Sequence, residues 1–290
     1  MSVAEVPSPA EVPDVGEKPV PSKAGRNLPA AIAVGLALAA VILTTLFTER
    51  RAFVGVIAVA VGIGILELCR ALKNNGMNAA RTPLVMGGAV TIAAAYQRGS
   101  TALLFGIVVT CLACLAWRLP DGGPGLVRDW SASVFVASYV PFLAGFAAMM
   151  TAPEDGAARI ASFIATTACS DIGGYVAGVL KGRHPMAPSV SPKKTWEGFA
   201  GSTIACTTCG VALVSSVMEI AWWRGALFGL AVVVAATIGD LGESLVKRDV
   251  GIKDMGHLLP GHGGIMDRLD SLLVVAPIAW MLLTAWAPVR

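Results

Sequence analysis

Charge is what this chain has least of. Asp, Glu, Lys and Arg make up 14% of its 290 residues, against about a quarter in soluble domains. With 55% hydrophobic residues, that scarcity excludes an ordinary soluble domain. Histidine is scarcer still: His184, His257 and His262 are the only three. None stands at zinc-ligand spacing from a cysteine, and no H-E-x-x-H occurs. P-loop and G-x-S-x-G patterns are also missing, so two common routes to phosphate binding and serine hydrolysis have no support. Nothing suggests nucleic-acid binding, because the bases gather beside apolar runs. Of the six cysteines, Cys111–Cys114 and Cys206–Cys209 have C-x-x-C spacing. Both pairs lie inside apolar runs without nearby histidine, where cysteine behaves as a small hydrophobe.

What is present is a series of long apolar runs. A helix needs about 20 mostly apolar residues to cross a bilayer. Nine stretches approach that length: about 28–47, 52–68, 83–96, 101–117, 132–150, 160–180, 200–219, 225–242 and 271–287. The third is short enough to be re-entrant. The expected fold is therefore all-α, a polytopic membrane helix bundle with about nine transmembrane spans. Residues 1–27 hold five prolines and almost no large apolar side chains, and read as a disordered cytoplasmic tail. Residues 28–290 read as one integral membrane domain. Alternating the spans puts 16 of the 22 Lys and Arg residues on the side of the N-terminus. Basic excess marks the cytoplasmic side. The 181–199 and 243–270 loops then share the cytoplasm, and the C-terminus lies outside.

Against this background the acids in the second half stand out. Asp171 sits within a span, in A-C-S-D-I-G-G, and Asp240 and Glu243 close another. Acids at such depth usually face a bundle interior or a wet cavity. Glu67 is placed instead at the interface beside Arg70. From Asp240 to Asp270 the chain packs six acids, four bases and two histidines between apolar runs. On a helix, Asp240, Glu243 or Ser244, and Lys247 share one face. Their carboxylates suit a hard cation, and Lys247 and Arg248 suit phosphate oxygens. In G-H-G-G-I-M-D-R-L-D, the glycines permit a tight turn with N–H groups free to face an anion. Asp267 and Asp270 would come together on a helix starting there, beside Arg268. Lys193 and Lys194, in S-P-K-K-T-W-E-G, could grip phosphates or serve as topology signals, and Trp196 could anchor at the interface.

At these residues the chain resembles the phosphatidate cytidylyltransferase, or CDP-diacylglycerol synthase, family. The pattern runs through Ser244, Lys247, Arg248, Lys253, Asp254, Pro260, His262, Gly263, Gly264, Asp267, Arg268 and Asp270, without departure. Ser191–Gly198 and the Ser170–Asp171 region carry it too, so the likeness covers residues 170–271. It implies a reaction in which CTP and phosphatidate give CDP-diacylglycerol and pyrophosphate, with Mg²⁺ as cofactor and a possible homodimer in the plasma membrane. On that reading Asp240, Ser244, Lys247, Arg248 and Asp267 are catalytic. Lys193, Lys194, Lys253, His262, Gly263, Gly264 and Arg268 bind phosphates. Asp240, Asp267 and Asp270, with Asp171 and Glu243, supply metal ligands. A CTP- or ATP-dependent lipid kinase and an ion-coupled transporter are the competing readings; the first shares the nucleotide, and the second uses only the intramembrane acids.

Overall fold

The computed structural model describes residues 28–122, 124–256, 258 and 263–286. The expected tail and His262 lie outside them. The order is α1 (Leu28–Thr48), α2 (Arg50–Asn74), α3 (Arg81–Arg118), α4 (Leu126–Ala137), α5 (Leu143–Thr151), α6 (Gly156–Lys181), β1 (Pro185–Ala187), β2 (Ser191–Thr195), α7 (Trp196–Met218), α8 (Trp222–Asp249) and α9 (Met266–Trp286). A π-helical turn over Ser138–Phe142 holds Pro141 and joins α4 to α5 in one rod. β1 and β2 form an antiparallel hairpin with one irregular step.

Seven helices are long and apolar enough to cross a bilayer. One of them, α3, would be about 57 Å long if straight, nearly twice the hydrocarbon thickness. It is folded instead. Gly99 has φ 71° and ψ −153°, a conformation open almost only to glycine. A Cβ at Gly106 would sit 2.6 Å from the Thr91 hydroxyl, and one at Gly87 would strike Thr110. The two arms, 81–98 and 100–118, therefore lie against each other. The third apolar run is thus a full arm of this hairpin and not a re-entrant loop. With α1 as a further apolar helix, the described residues hold nine apolar segments, as the hydropathy pattern predicts. The chain is an integral membrane protein, and its many exposed Leu, Val, Ile and Phe side chains face where lipid tails would lie.

Lipid gives helices no hydrophobic reason to associate, so close packing of small residues does that work. Between α6 and α7, a Cβ at Gly173 would lie 2.7 Å from the Gly201 carbonyl oxygen, and Gly174 and Gly178 meet Ser202 and Gly198. Between α7 and α8, a Cβ at Gly210 would lie 2.5 Å from the Gly225 carbonyl oxygen. Cys206 hydrogen-bonds the Thr166 carbonyl and Cys209 accepts from the Thr166 hydroxyl; all six cysteines are free. The C-x-x-C pair in α7 is thus helix packing. One core lies among α2, α3, α4 and the start of α9, and a second among α6, α8, α9 and the start of α2. The charged segment falls where the two meet.

Candidate active site

The site is built at one end of the bundle from α6, the hairpin, α8 and the start of α9. Two devices hold the hairpin. Thr195 caps α7 by accepting the Gly198 N–H at 3.1 Å, as a β-region N-cap residue should. Glu197, in the first turn, accepts the N–H groups of Arg183 and His184 at 3.1 and 3.2 Å and contacts the His184 ring at 2.5 Å. From the far side, Arg248 donates its Nε to the Val190 carbonyl. The hairpin is clamped between the start of α7 and the end of α8. Lys193 and Lys194 consequently face a groove of about 230 Å³ shared with Asp171, Thr237 and Asp240. Lys194 pairs with Asp240 at 2.5 Å.

Helix α8 ends in a Schellman motif, which fixes where its last basic turn points. Gly251, at φ 68°, donates to the Arg248 carbonyl, and Ile252 donates to that of Lys247, as the motif requires. The Val250 carbonyl accepts from Asn75 at 2.8 Å, anchoring this end to α2. One turn earlier Lys247 reaches inward. Its Nζ lies 2.6 Å from Glu243 Oε2 and 2.6 Å from Asp267 Oδ1. Glu243 and Lys247 thus occupy one helix face, as their spacing predicts.

Asp267 opens α9 and is heavily engaged. Besides Lys247 it accepts the Gly264 N–H at 2.7 Å and the Met255 N–H at 3.1 Å. Asp270 accepts the Ser271 N–H at 2.7 Å and lies within electrostatic reach of Asp240 and Glu243. The sequence reading expected Asp267 and Asp270 to stand together. They share α9 but have different partners: Asp267 meets Lys247, and Asp270 faces the carboxylates of α8. Asp171 lies within reach of Asp240, Asp270, Lys194 and Arg268. Ser244 is half-buried on α8; Lys253 is exposed on the loop after it. Gly263 adopts φ 80°, the left-handed backbone expected of the Gly-rich turn.

The donor set fits a hard divalent cation. Among the described residues, no three acidic, His or Cys side chains are gathered tightly enough to hold an ion alone. Mg²⁺ does not require that, because it is usually held by one or two carboxylates, substrate phosphates and water. Glu243 supplies the pointed observation: it is 1% exposed, and its Oε1 has no hydrogen-bond partner among the described residues. Two carboxyls so close and so buried repel unless a proton or a cation is shared between them, and Asp270 is that neighbour.

Two groups escaped the sequence reading. Glu67 does not reach water beside Arg70: it is 3% exposed and accepts the Met266 N–H at 2.8 Å. A lone acid three residues from an arginine, near the end of an apolar run, gave no sign of a partner so distant in sequence. Tyr139, on the π turn, has a buried hydroxyl without a hydrogen-bond partner among the described residues, within electrostatic reach of Glu243, Asp270 and Asp240. A π turn beside a proline is itself a functional-site signal.

Comparison with known proteins covers almost the whole chain. The model of the cytidylyltransferase family matches residues 29–286. The phosphatidate cytidylyltransferase of Mycobacterium leprae is 43% identical over 278 residues, 90% of this chain and 89% of that one. Its namesake in Mycobacterium tuberculosis H37Rv is 42% identical over 294 residues, 96% of this chain and 90% of that one. The Brucella melitensis protein of the same name is 33% identical over 190 residues, 64% of this chain and 66% of that one. The match extends through the N-terminal helices as well as the charged segment, and the chain belongs to the cytidylyltransferase family.

Proposed function

We propose that this protein transfers the cytidylyl group of CTP to phosphatidate, giving CDP-diacylglycerol and pyrophosphate, at the cytoplasmic face of the plasma membrane. The alternation of lysine and carboxylate around one membrane-end groove supports this most strongly: Lys194 on Asp240, and Lys247 on Glu243 and Asp267. Family membership and the names of the relatives point the same way.

A phosphate oxygen of phosphatidate attacks the α-phosphorus of CTP. The bond from that phosphorus to the oxygen bridging to the β-phosphate breaks, and the electron pair leaves with pyrophosphate. The attacking oxygen is already anionic near neutral pH, so no strong base is needed. The difficulty lies in bringing two anions together, and fixed positive charge meets it. Lys193 and Lys194 present ammonium groups to the groove, where an incoming phosphate competes with Asp240 for Lys194. Lys247, held by two carboxylates, keeps its charge and its direction. Arg248, Lys253 and Arg268 add positive charge at the mouth; the Gly264 N–H is engaged by Asp267 rather than left for an anion. Mg²⁺, when bound, neutralises triphosphate charge and supports the departing pyrophosphate. Asp171, Asp240, Glu243, Asp267 and Asp270 are its candidate ligands.

The test uses purified protein, phosphatidate in mixed micelles, Mg²⁺ and CTP labelled at the α- or the γ-phosphate. Cytidylyl transfer puts the α-label on lipid and releases pyrophosphate; chelation stops it and added Mg²⁺ restores it. The γ-label on lipid with release of CDP would replace this reading by a lipid kinase.

A further inference from the structure

Glu67 belongs to α2, in the half of the chain that otherwise builds scaffold, yet its carboxylate lies under the charged segment. Met266, whose N–H it accepts at 2.8 Å, is the first residue of α9. The opening N–H groups of a helix have no partner within the helix, and a carboxylate there also meets the positive end of the helix dipole. Two glycines close over the same carboxylate. A Cβ at Gly264 would come 2.5 Å from Oε2, and one at Gly256 would lie 2.5 Å from Cδ. From the other side Asp267 takes the N–H groups of Met255 and Gly264. Met255 and Gly256 on one side, and Gly264 and Met266 on the other, are thus held between two carboxylates, one from α2 and one from α9.

We infer that Glu67 is a positioning residue: it holds Gly256, Gly264 and the first turn of α9 so that Asp267 meets Lys247. It acts through backbone groups and is assigned no contact with substrate. The inference rests on the proposed function for the importance of Asp267 and Lys247, but the holding of these backbone groups can be measured without it.

Three variants of the full chain test it: Glu67→Ala, Glu67→Gln and Gly256→Ala. Amide hydrogen exchange is followed by peptide, alongside kcat and KM for CTP. Glu67→Ala should speed exchange at Met255, Gly256 and Gly264–Met266 by about tenfold or more while the other helices keep their protection. It should lower kcat/KM by about 10–100-fold, the range found when the support behind a metal-site ligand is removed. Glu67→Gln retains an oxygen that accepts from Met266 and should keep most of both. Gly256→Ala, whose methyl needs the space Glu67 fills, should resemble Glu67→Ala. Wild-type exchange and kinetics in folded Glu67→Ala and Gly256→Ala would overturn the inference. So would faster exchange spread evenly over the bundle. If Glu67→Ala does not fold, Gly256→Ala decides by the same two readouts. If the wild-type protein transfers no cytidylyl group, the proposed function fails, and exchange alone still decides whether Glu67 holds the start of α9.

Discussion

Lys247 serves two carboxylates at once, and that fixes what its loss would do. Its side chain is 17% exposed, and those of Glu243 and Asp267 are 2% and 6% exposed. Lys247→Met would leave two buried acids without their cation. Removing one partner from a buried charge group typically costs about 3–5 kcal/mol, so the unfolding midpoint in detergent should fall accordingly and cytidylyl transfer should be lost. Adding Glu243→Gln should restore part of the stability and none of the activity; a single variant as stable as wild type would refute the bridging role. The spacing on α8 made the Glu243–Lys247 pair legible, because i and i+4 meet on any helix. The Lys194–Asp240 pair was not legible: 46 residues separate its members, and only the clamp on the hairpin brings them together. Glu67 was misread for the same reason, since hydropathy reports depth along a span but not which face a side chain takes.

At the scale of elements, the apolar runs and their breaks were readable, and their pairing was not. Gln97, Arg98, Gly99 and Ser100 interrupt one run, and that break is where α3 folds. Its sharpness comes from the backbone of Gly99, whose conformation costs an L-residue about 1–3 kcal/mol. Nothing lies within 4 Å of a Cβ at that position, so Gly99→Ala isolates backbone strain from crowding. The variant should lose stability by about that amount in thermal melts while its KM for CTP stays unchanged, because the turn lies at the end of the bundle opposite the site. An unchanged melting temperature would mean that the two arms do not depend on this turn. The tight meetings of Gly173 with Gly201 and of Gly210 with Gly225 were visible only as a general wealth of glycine. Which small residue faces which depends on helix rotation, and rotation is set by the whole bundle.

At the scale of the molecule, the fold turns a charge bias into an orientation. Nine apolar segments put the hairpin, the end of α8 and the start of α9 at the end of the bundle where α2 finishes, and the Asn75–Val250 hydrogen bond ties these together. That end carries Lys193, Lys194, Lys247, Arg248, Lys253 and Arg268; the α7–α8 turn at the other end presents exposed Trp222 and Trp223. Lysine and arginine concentrate on the cytoplasmic side, and tryptophan marks either interface. The site should therefore open to the cytoplasm, where CTP is available. Ser189, on the hairpin turn, and Ala221, before α8, are both exposed, stand at opposite ends and are assigned no part in the chemistry. Ser189→Cys and Ala221→Cys can each be treated with a maleimide that does not cross membranes. Ala221→Cys should label in intact cells and Ser189→Cys only after permeabilisation, with wild type treated in the same way setting the background from the six native cysteines. The reverse pattern would place the lysine groove outside, away from its nucleotide, and would count against cytidylyl transfer more directly than the loss of any one side chain.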